Sequence, residues 1–347
     1  MRDQLKAELA KIVGAVAVTS PDSFTFAGRP FSAAAHQQQH QQQQQAAGFA
    51  QQNPLATLLE QVFYQYCYSR TFDGQLRDET AQPPSPDSNL TPALSEANAT
   101  RERWDTGWQV YQLLPSGQIL AHKQGRTRAL WPGEFLSLDA PGMQPRPGQN
   151  ISVFFMRETT TMQPGFYFAF GEAQGDEQEG FSLVRFYWNL RAEGAAPLMR
   201  AVTRRLNRFQ VPFRFKCLAN GAFYHRQDSA VLYVNKRFYR VTSWLLADAH
   251  AELSAHLRPE TPLFTKRLAD GLGLAEEPYT GESFGMQRCR ILAEGVLSAE
   301  ARGLKDNASR LEEVEQHFHR YGLTLERPYL NPGSVDQYDF TLAREAA

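Results

Sequence analysis

Two runs of alternating residues with a helical pattern between them constrain this chain more than any other feature. Leu183-Val184-Arg185-Phe186-Tyr187-Trp188-Asn189-Leu190 has a period of two, so Val184, Phe186, Trp188 and Leu190 share one side of a strand. Arg185, Tyr187 and Asn189 share the other. After Glu193-Gly194, Pro197 stands where a helix begins, and Leu198, Val202 and Leu206, with Met199 and Phe209, recur at three- and four-residue steps. Pro212 ends that helix. Phe213 to Leu218 alternates again, with Phe213, Phe215 and Cys217 opposite Arg214 and Lys216, and a third strand, Ala230 to Val234, follows the loop carrying His225. Strand, helix, strand in that order predicts a right-handed parallel crossover. With the two strands as neighbours and their apolar sides on the helix, Arg185, Tyr187, Asn189, Arg214 and Lys216 project from one sheet surface.

Charge along this stretch is one-sided. Between Phe181 and Arg237 the only acids are Glu193 and Asp228. Such an imbalance suits an anionic ligand, phosphate most naturally. Arg200, Arg204, Arg205 and Arg208 fit a solvated helix face better than a site.

The whole chain carries no such bias. Its 347 residues have a formal net charge of −1, so no global field draws it to nucleic acid or to a membrane surface. Cys67, Cys217 and Cys289 are an odd number without metal spacing, which argues against a disulfide framework or a zinc site. No apolar run approaches the roughly 18 residues of a membrane span, and the N-terminus lacks the pattern of a secretory signal. The expected compartment is cytoplasmic, with secretion into a host cell the alternative.

In chain order, residues 3–18 read as an amphipathic helix packed on the main body. The expected division is an N-terminal helix and short hairpin over 1–32, a Gln-rich linker over 33–53, a helical part over 54–81, a Pro/Ser-rich loop over 82–100, and a main α+β domain over 101–340. His36 and His40 in the Gln-rich tract are a weak metal signal. Leu55 to Tyr68 reads as a buried helix in which Cys67 fills the core. Trp108 to Leu114, Gly117 to Lys123 and Arg126 to Trp131 read as an antiparallel meander. Ile151–Met156 and Gly165–Phe170 are apolar enough for the interior of the main sheet. Lys236 closes the third strand and is placed to reach an anion at the sheet edge. The Gly271-Leu272-Gly273 loop has neither P-loop nor dinucleotide spacing. Ser283 reads as an N-cap, and the free N–H groups of that helix start, with Arg288, Arg290 and Lys266, form a plausible second half of a phosphate clamp; the alternative is an ordinary capped helix with solvated arginines. His317 and His319 stand two apart and cannot share a helix face.

Several segments resemble the HopA effector family, found as type III effectors in plant-pathogenic pseudomonads and as free-standing bacterial proteins. They are Arg103-Trp104-Asp105-Thr106-Gly107-Trp108, Phe166 to Glu172, Val184 to Leu190, Val211 to Lys216, Ala230 to Val234, Phe264-Thr265-Lys266, Gly271 to Ala275, and Glu282 to Arg290. Family members encoded beside a small kinase in peptide-modification gene clusters look like lyases. There the kinase phosphorylates Ser or Thr of a precursor peptide, and the HopA-like partner removes phosphate to leave a dehydroamino acid. That resembles the phosphothreonine lyases of bacterial pathogens, in which a Lys takes the α-proton and a His assists the leaving phosphate. Arg185-Phe186-Tyr187 looks like the counterpart of their Lys-Phe-His strand motif, with Tyr187 in the acid position.

The resulting expectation is an α+β fold, with a helical N-terminal segment followed by a mixed β-sheet domain holding a strand-helix-strand unit and flanking helices. Lys216 is the candidate base, since neighbouring cations favour a neutral Lys amine, and Tyr187 the candidate acid. Arg185, Asn189, Arg214, Lys236, Lys266, Arg288, Arg290 and His225 are the phosphate- or substrate-binding candidates. The chemistry calls for no cofactor and no metal. The expected partners are a phosphorylated precursor peptide and a kinase. Two other readings stay open: a non-catalytic effector or adaptor with a basic face, and a subunit that presents the phosphopeptide.

Overall fold

The computed structural model describes residues 2–34, 53–77, 88–137, 142–175 and 182–341. The His36/His40 pair, most of the Gln-rich tract and the first part of the Pro/Ser-rich loop lie outside them. The fold is α+β, with three sheets whose paired strands all run antiparallel.

Helix α1 (Arg2–Gly14) opens the chain and ends earlier than the expected 3–18. Beyond Gly14, the β-branched pair Val16 and Val18 starts a small sheet of β1 (Val16–Ser20), β2 (Ser23–Phe26) and β3 (Arg29–Ser32). Helix α2 (Pro54–Phe63) starts with Asn53 accepting from the Leu55 N–H at 3.0 Å, and Pro54 sits in its first turn, where no N–H is required. It continues as a π-helical turn over Tyr64–Tyr68. Short helix α3 (Thr91–Ala97) occupies part of the expected loop, again with a proline in its first turn. Pro92 reads as a breaker in sequence but is tolerated there because the N–H it lacks has no partner in a first turn.

Next come β4 (Arg103–Leu113), β5 (Ile119–Lys123), β6 (Arg126–Leu130), β7 (Phe135–Ser137) and β8 (Asn150–Phe155), in the order β6-β5-β4-β8-β7. The meander is as expected, but β8 is not part of the main sheet. The eleven-residue β4 pairs with β5 through its second half and with β8 through its first. Trp108, Val110, Ile119, Ala121, Leu130, Ile151, Val153 and Phe155 then close a small core of their own.

The main sheet is built from β9 (Glu158–Thr159), β10 (Phe166–Phe170), β11 (Leu183–Trp188), β12 (Arg214–Leu218), β13 (Ala230–Asn235), β14 (Lys266–Ala269) and β15 (Leu272–Glu276). Its order is β14-β15-β11-β13-β12-β10-β9. Helix α4 (Ala195–Arg208) joins β11 to β12, yet those strands are not neighbours. Both pair antiparallel with β13, so they run in the same direction with β13 inserted between them. The expected direct parallel pairing is therefore corrected. Ala230 to Val234 is a continuous apolar run, and β13 is buried on both sides, which suits it to the middle of the sheet.

Helix α4 and helix α5 (Tyr239–Leu253) pack together on the Phe186 side of the sheet, where Phe186 stacks on Tyr239 at 5.8 Å. On the other side, the π-turn after α2 and α6 (Phe284–Ala301) cover the sheet at Tyr187, α2 packs on α6, and α7 (Asn307–Arg320) backs α6. Ser283 caps α6 as expected, accepting from the Met286 N–H at 3.3 Å.

Candidate functional site

Antiparallel register decides which side chains meet. Arg185 lies opposite Tyr233, and Tyr233 opposite Arg214; one step along, Tyr187 lies opposite Val231, and Val231 opposite Lys216. Side chains directly across an antiparallel ladder share a face. Arg185, Tyr187, Arg214 and Lys216 are thus on one surface of the sheet, with Tyr233 in their midst. The Arg185 and Arg214 guanidinium carbons stand 5.1 Å and 4.4 Å from the Tyr233 ring centre, and the Lys216 ammonium 5.9 Å from it. Lys216 is also 4.3 Å from the Phe166 ring. Three cations around one aromatic ring form a positive surface with an apolar floor, each stabilised by the ring's negative face.

The three are not equally available. Arg185 is 7% exposed and committed through two nitrogens to Glu277. Lys216 is half-buried and donates to Gln163 Oε1 at 3.0 Å. Half-buried Arg214 has no hydrogen bond or ion pair among the described residues, and its Nε is buried without a partner. A guanidinium in that state is a ready ligand for an anion.

A second cluster adjoins Lys216. Asp228 is 6% exposed and accepts from Arg226 at 2.9 and 2.8 Å and from the Tyr64 hydroxyl at 3.1 Å. Burial works against the Asp228 charge, but the Arg226 guanidinium outweighs it, with help from Lys216, and the carboxyl is held below its ordinary range. Tyr64 and Tyr68, four residues apart on the π-turn, stack at 5.1 Å above this region. A π-turn adds a residue to the helical repeat, and such turns recur at functional sites.

Tyr187 sits beneath that cover. Its ring meets Tyr68 at 6.5 Å and Phe284 at 6.3 Å, it is 2% exposed, and its hydroxyl has no hydrogen-bond partner among the described residues. Burial pushes its phenol up to about 12, against the pull of Arg185. It shares a face with Lys216 but is closed off from anything that approaches Lys216 from solvent.

The remaining candidates are dispersed. Asn189 is buried and donates to the Glu260 carbonyl at 3.0 Å. His225, half-buried, has its Nδ1 3.1 Å from the Ala222 carbonyl. Lys236 pairs with Glu276 at 2.8 Å. Lys266 lies opposite Leu274, hence on the Phe186 side, and pairs with Asp336 at 2.9 Å. Arg288 is fully buried, donating to the Pro328 and Leu330 carbonyls at 2.8 and 2.9 Å, with burial holding its guanidinium down at about 10. Arg290 is held by Glu282 and Glu294 at 2.9 and 2.8 Å. The helix start at Ser283 therefore does not form the second half of a clamp with Lys266, Arg288 and Arg290. The physical reason is charge supplied from elsewhere: Glu276, Glu277, Glu282 and Asp336 follow the acid-poor stretch in sequence and neutralise cations in and beyond it.

Sequence reasoning passed over Tyr64, Tyr68, Tyr233, Arg226, Asp228 and Glu277. The alternation of β13 puts Tyr233 on the face of Arg185, so that signal was available. Among the described residues no group of three or more His, Cys, Asp or Glu could hold a metal, and no helix is long and apolar enough to cross a membrane.

The chain is thus an α+β protein with a cationic, aromatic-floored surface on its main sheet. The model of the HopA1 effector protein family matches residues 158–330, which include every strand of that sheet. Through that segment the chain belongs to the HopA1 effector protein family. Among solved structures it is similar to the effector protein from Pseudomonas syringae pv. tomato strain DC3000, with 16% identity and a TM-score of 0.44 over 81% of this chain and 92% of that one. It is also similar to the effector protein from Pseudomonas syringae pv. syringae strain 61, with 18% identity and a TM-score of 0.35 over 48% of this chain and 62% of that one. No curated protein matches it.

Proposed function

We propose that this protein is a metal-independent phosphoserine or phosphothreonine lyase that acts on a peptide after a partner kinase. The observation that carries the reading is the surface around Tyr233, where Arg214, beside half-buried Lys216, has no anionic partner among the described residues. In this scheme the Lys216 amine takes the α-proton of the phosphorylated residue. The C–H electrons form the Cα–Cβ double bond, and the Cβ–O bond breaks with its electron pair leaving on phosphate. Arg214 holds the phosphate by charge-assisted hydrogen bonds and stabilises the charge that grows on it. With Tyr187 closed off, the leaving group departs as the guanidinium-bound anion, and the acid role expected of Tyr187 is not required.

The test is mass spectrometry of a phosphothreonine peptide incubated with the protein, alone and with a cognate kinase and precursor. Loss of phosphoric acid is the expected result. Lys216→Ala should abolish it while the phosphopeptide still binds, and Arg214→Ala should weaken binding by about tenfold or more. Full elimination by Lys216→Ala would remove Lys216 as the base. The burial of Tyr187 favours a second reading, a phosphopeptide-binding subunit or adaptor. Tight binding with no elimination under either condition would select it.

A further inference from the structure

The phosphate accounts for one residue of a peptide; the chain on either side of it needs a surface too. Strand β6 is the outermost strand of the five-stranded sheet. It is joined to β5 by Gln124 and Gly125, both at positive φ (50° and 78°), which is the two-residue turn that matches hairpin twist. In such a hairpin the residues flanking the turn, Lys123 and Arg126, exchange both backbone hydrogen bonds, and the pattern repeats at Arg128 and Leu130. The backbone N–H and C=O groups of Thr127 and Ala129 therefore face outward, and both residues are exposed. Among the described residues nothing pairs with them.

This open edge borders the candidate site. A cleft of about 300 Å³ is lined by Arg128 of β6 together with Arg214 and Tyr233. A second cleft of about 270 Å³ shares Ala173, Gln174 and Pro212 with the first and adds Arg126 and Arg237. Its acids, Asp105 and Glu172, are already paired with Lys123 at 2.8 Å and with Arg101 at 2.9 Å. Among the described residues, Arg103, Lys123, Arg126, Arg128, Arg214 and Arg237 line the two clefts against those two acids, a surplus of positive charge that suits an anionic occupant.

From this juxtaposition we infer that an extended phosphopeptide with acidic flanks docks as an added strand on the outer edge of β6, presenting its phosphorylated residue to Arg214. Backbone pairing supplies affinity with little demand on side-chain identity, and the arginines select for negative charge. This rests on the phosphopeptide reading above but not on elimination.

The experiment reads binding directly, by fluorescence anisotropy of a labelled phosphothreonine peptide about twelve residues long with acidic flanks, with elimination followed separately by mass spectrometry. Ala129→Pro removes one outward N–H and leaves the bonds to β5 in place; it should weaken binding about tenfold. Ala129→Val keeps the N–H and separates its loss from a change of side chain. Wild-type affinity in folded Ala129→Pro overturns docking on β6 whether or not the peptide is eliminated, and so does a failure of the unmutated protein to bind. Edge-sensitive binding without elimination upholds the docking and sinks the lyase. Should Ala129→Pro fail to fold, Arg126→Glu decides, with a loss of at least about threefold at low salt expected and unchanged affinity overturning the proposal.

Discussion

Replacing Gly285 with alanine tests how tightly the lid over the site is packed. Gly285 lies in the first turn of α6, against the π-turn that continues α2. A Cβ there would stand 2.4 Å from Tyr68 Cε1, 2.6 Å from Tyr68 Cζ and 2.8 Å from Tyr64 Cε2. Carbon contacts are at rest near 3.5–4.0 Å, so the Tyr68 ring would have to retreat by about 1 Å. It has nowhere to go, being 1% exposed with Tyr64 stacked on it and Tyr187 and Phe284 beside it. Overpacking of this kind costs about 1–3 kcal/mol. The gain in helix propensity from glycine to alanine is at most about 1 kcal/mol, and less in a first turn. A net loss near 1–2 kcal/mol is expected, which at an m-value of about 3 kcal/mol/M lowers the urea midpoint by roughly 0.3–0.7 M. In a Tyr68→Ala background the same substitution should cost much less, because the nearer of the two obstructing rings is gone and only Tyr64 remains in the way. A midpoint equal to or above that of the unmutated protein, or an equal loss in both backgrounds, would refute the reasoning.

Two further outcomes follow from burial. Glu60 is raised to about 7, by burial first, with Glu282 and Glu294 adding to it and Arg290 opposing. A carboxyl raised above its unfolded value of about 4.3 favours folding less as pH rises from there through its folded value, so its cost is full only above pH 7. Glu60→Gln should therefore raise the melting temperature at pH 8 and leave it unchanged at pH 4; an equal shift at both would show that the carboxylate charge is not the cause. The thiols of Cys67, Cys217 and Cys289 are buried and pushed up by burial, so a thiol reagent should modify none of them until the protein unfolds. Rapid labelling of any one in native buffer would contradict the packing described.

Period-two alternation made β11 and β12 legible, and with them the face shared by Arg185, Tyr187, Arg214 and Lys216. Alternation says which side of a strand a residue occupies but not which strand lies beside it, so the insertion of β13 between β11 and β12 was invisible. It says nothing of depth either: Tyr187 and Lys216 share a face, and the difference between them comes from Tyr68, more than a hundred positions away. The cations failed as clamp candidates for a related reason. A local count of acids cannot register Asp336 reaching Lys266 or Glu277 reaching Arg185. Ser283 succeeded because an N-cap is decided within one turn.

The interleaving of β13 also bears on how the chain emerges from the ribosome. Strand β11 is made first, and the strands that flank it, β13 and β15, begin about forty and about eighty residues later. At about 5–20 residues per second, the apolar run of β11 has neither neighbour available for roughly 2–8 s of synthesis. The helix that follows it, α4, can cover one side in the meantime, but the hydrogen-bonding edges stay bare, as an aggregation-prone strand does. A pause or a destabilising substitution between Leu190 and Ala230 would lengthen that exposure. Yield in the cell would then fall even where the finished protein was no less stable.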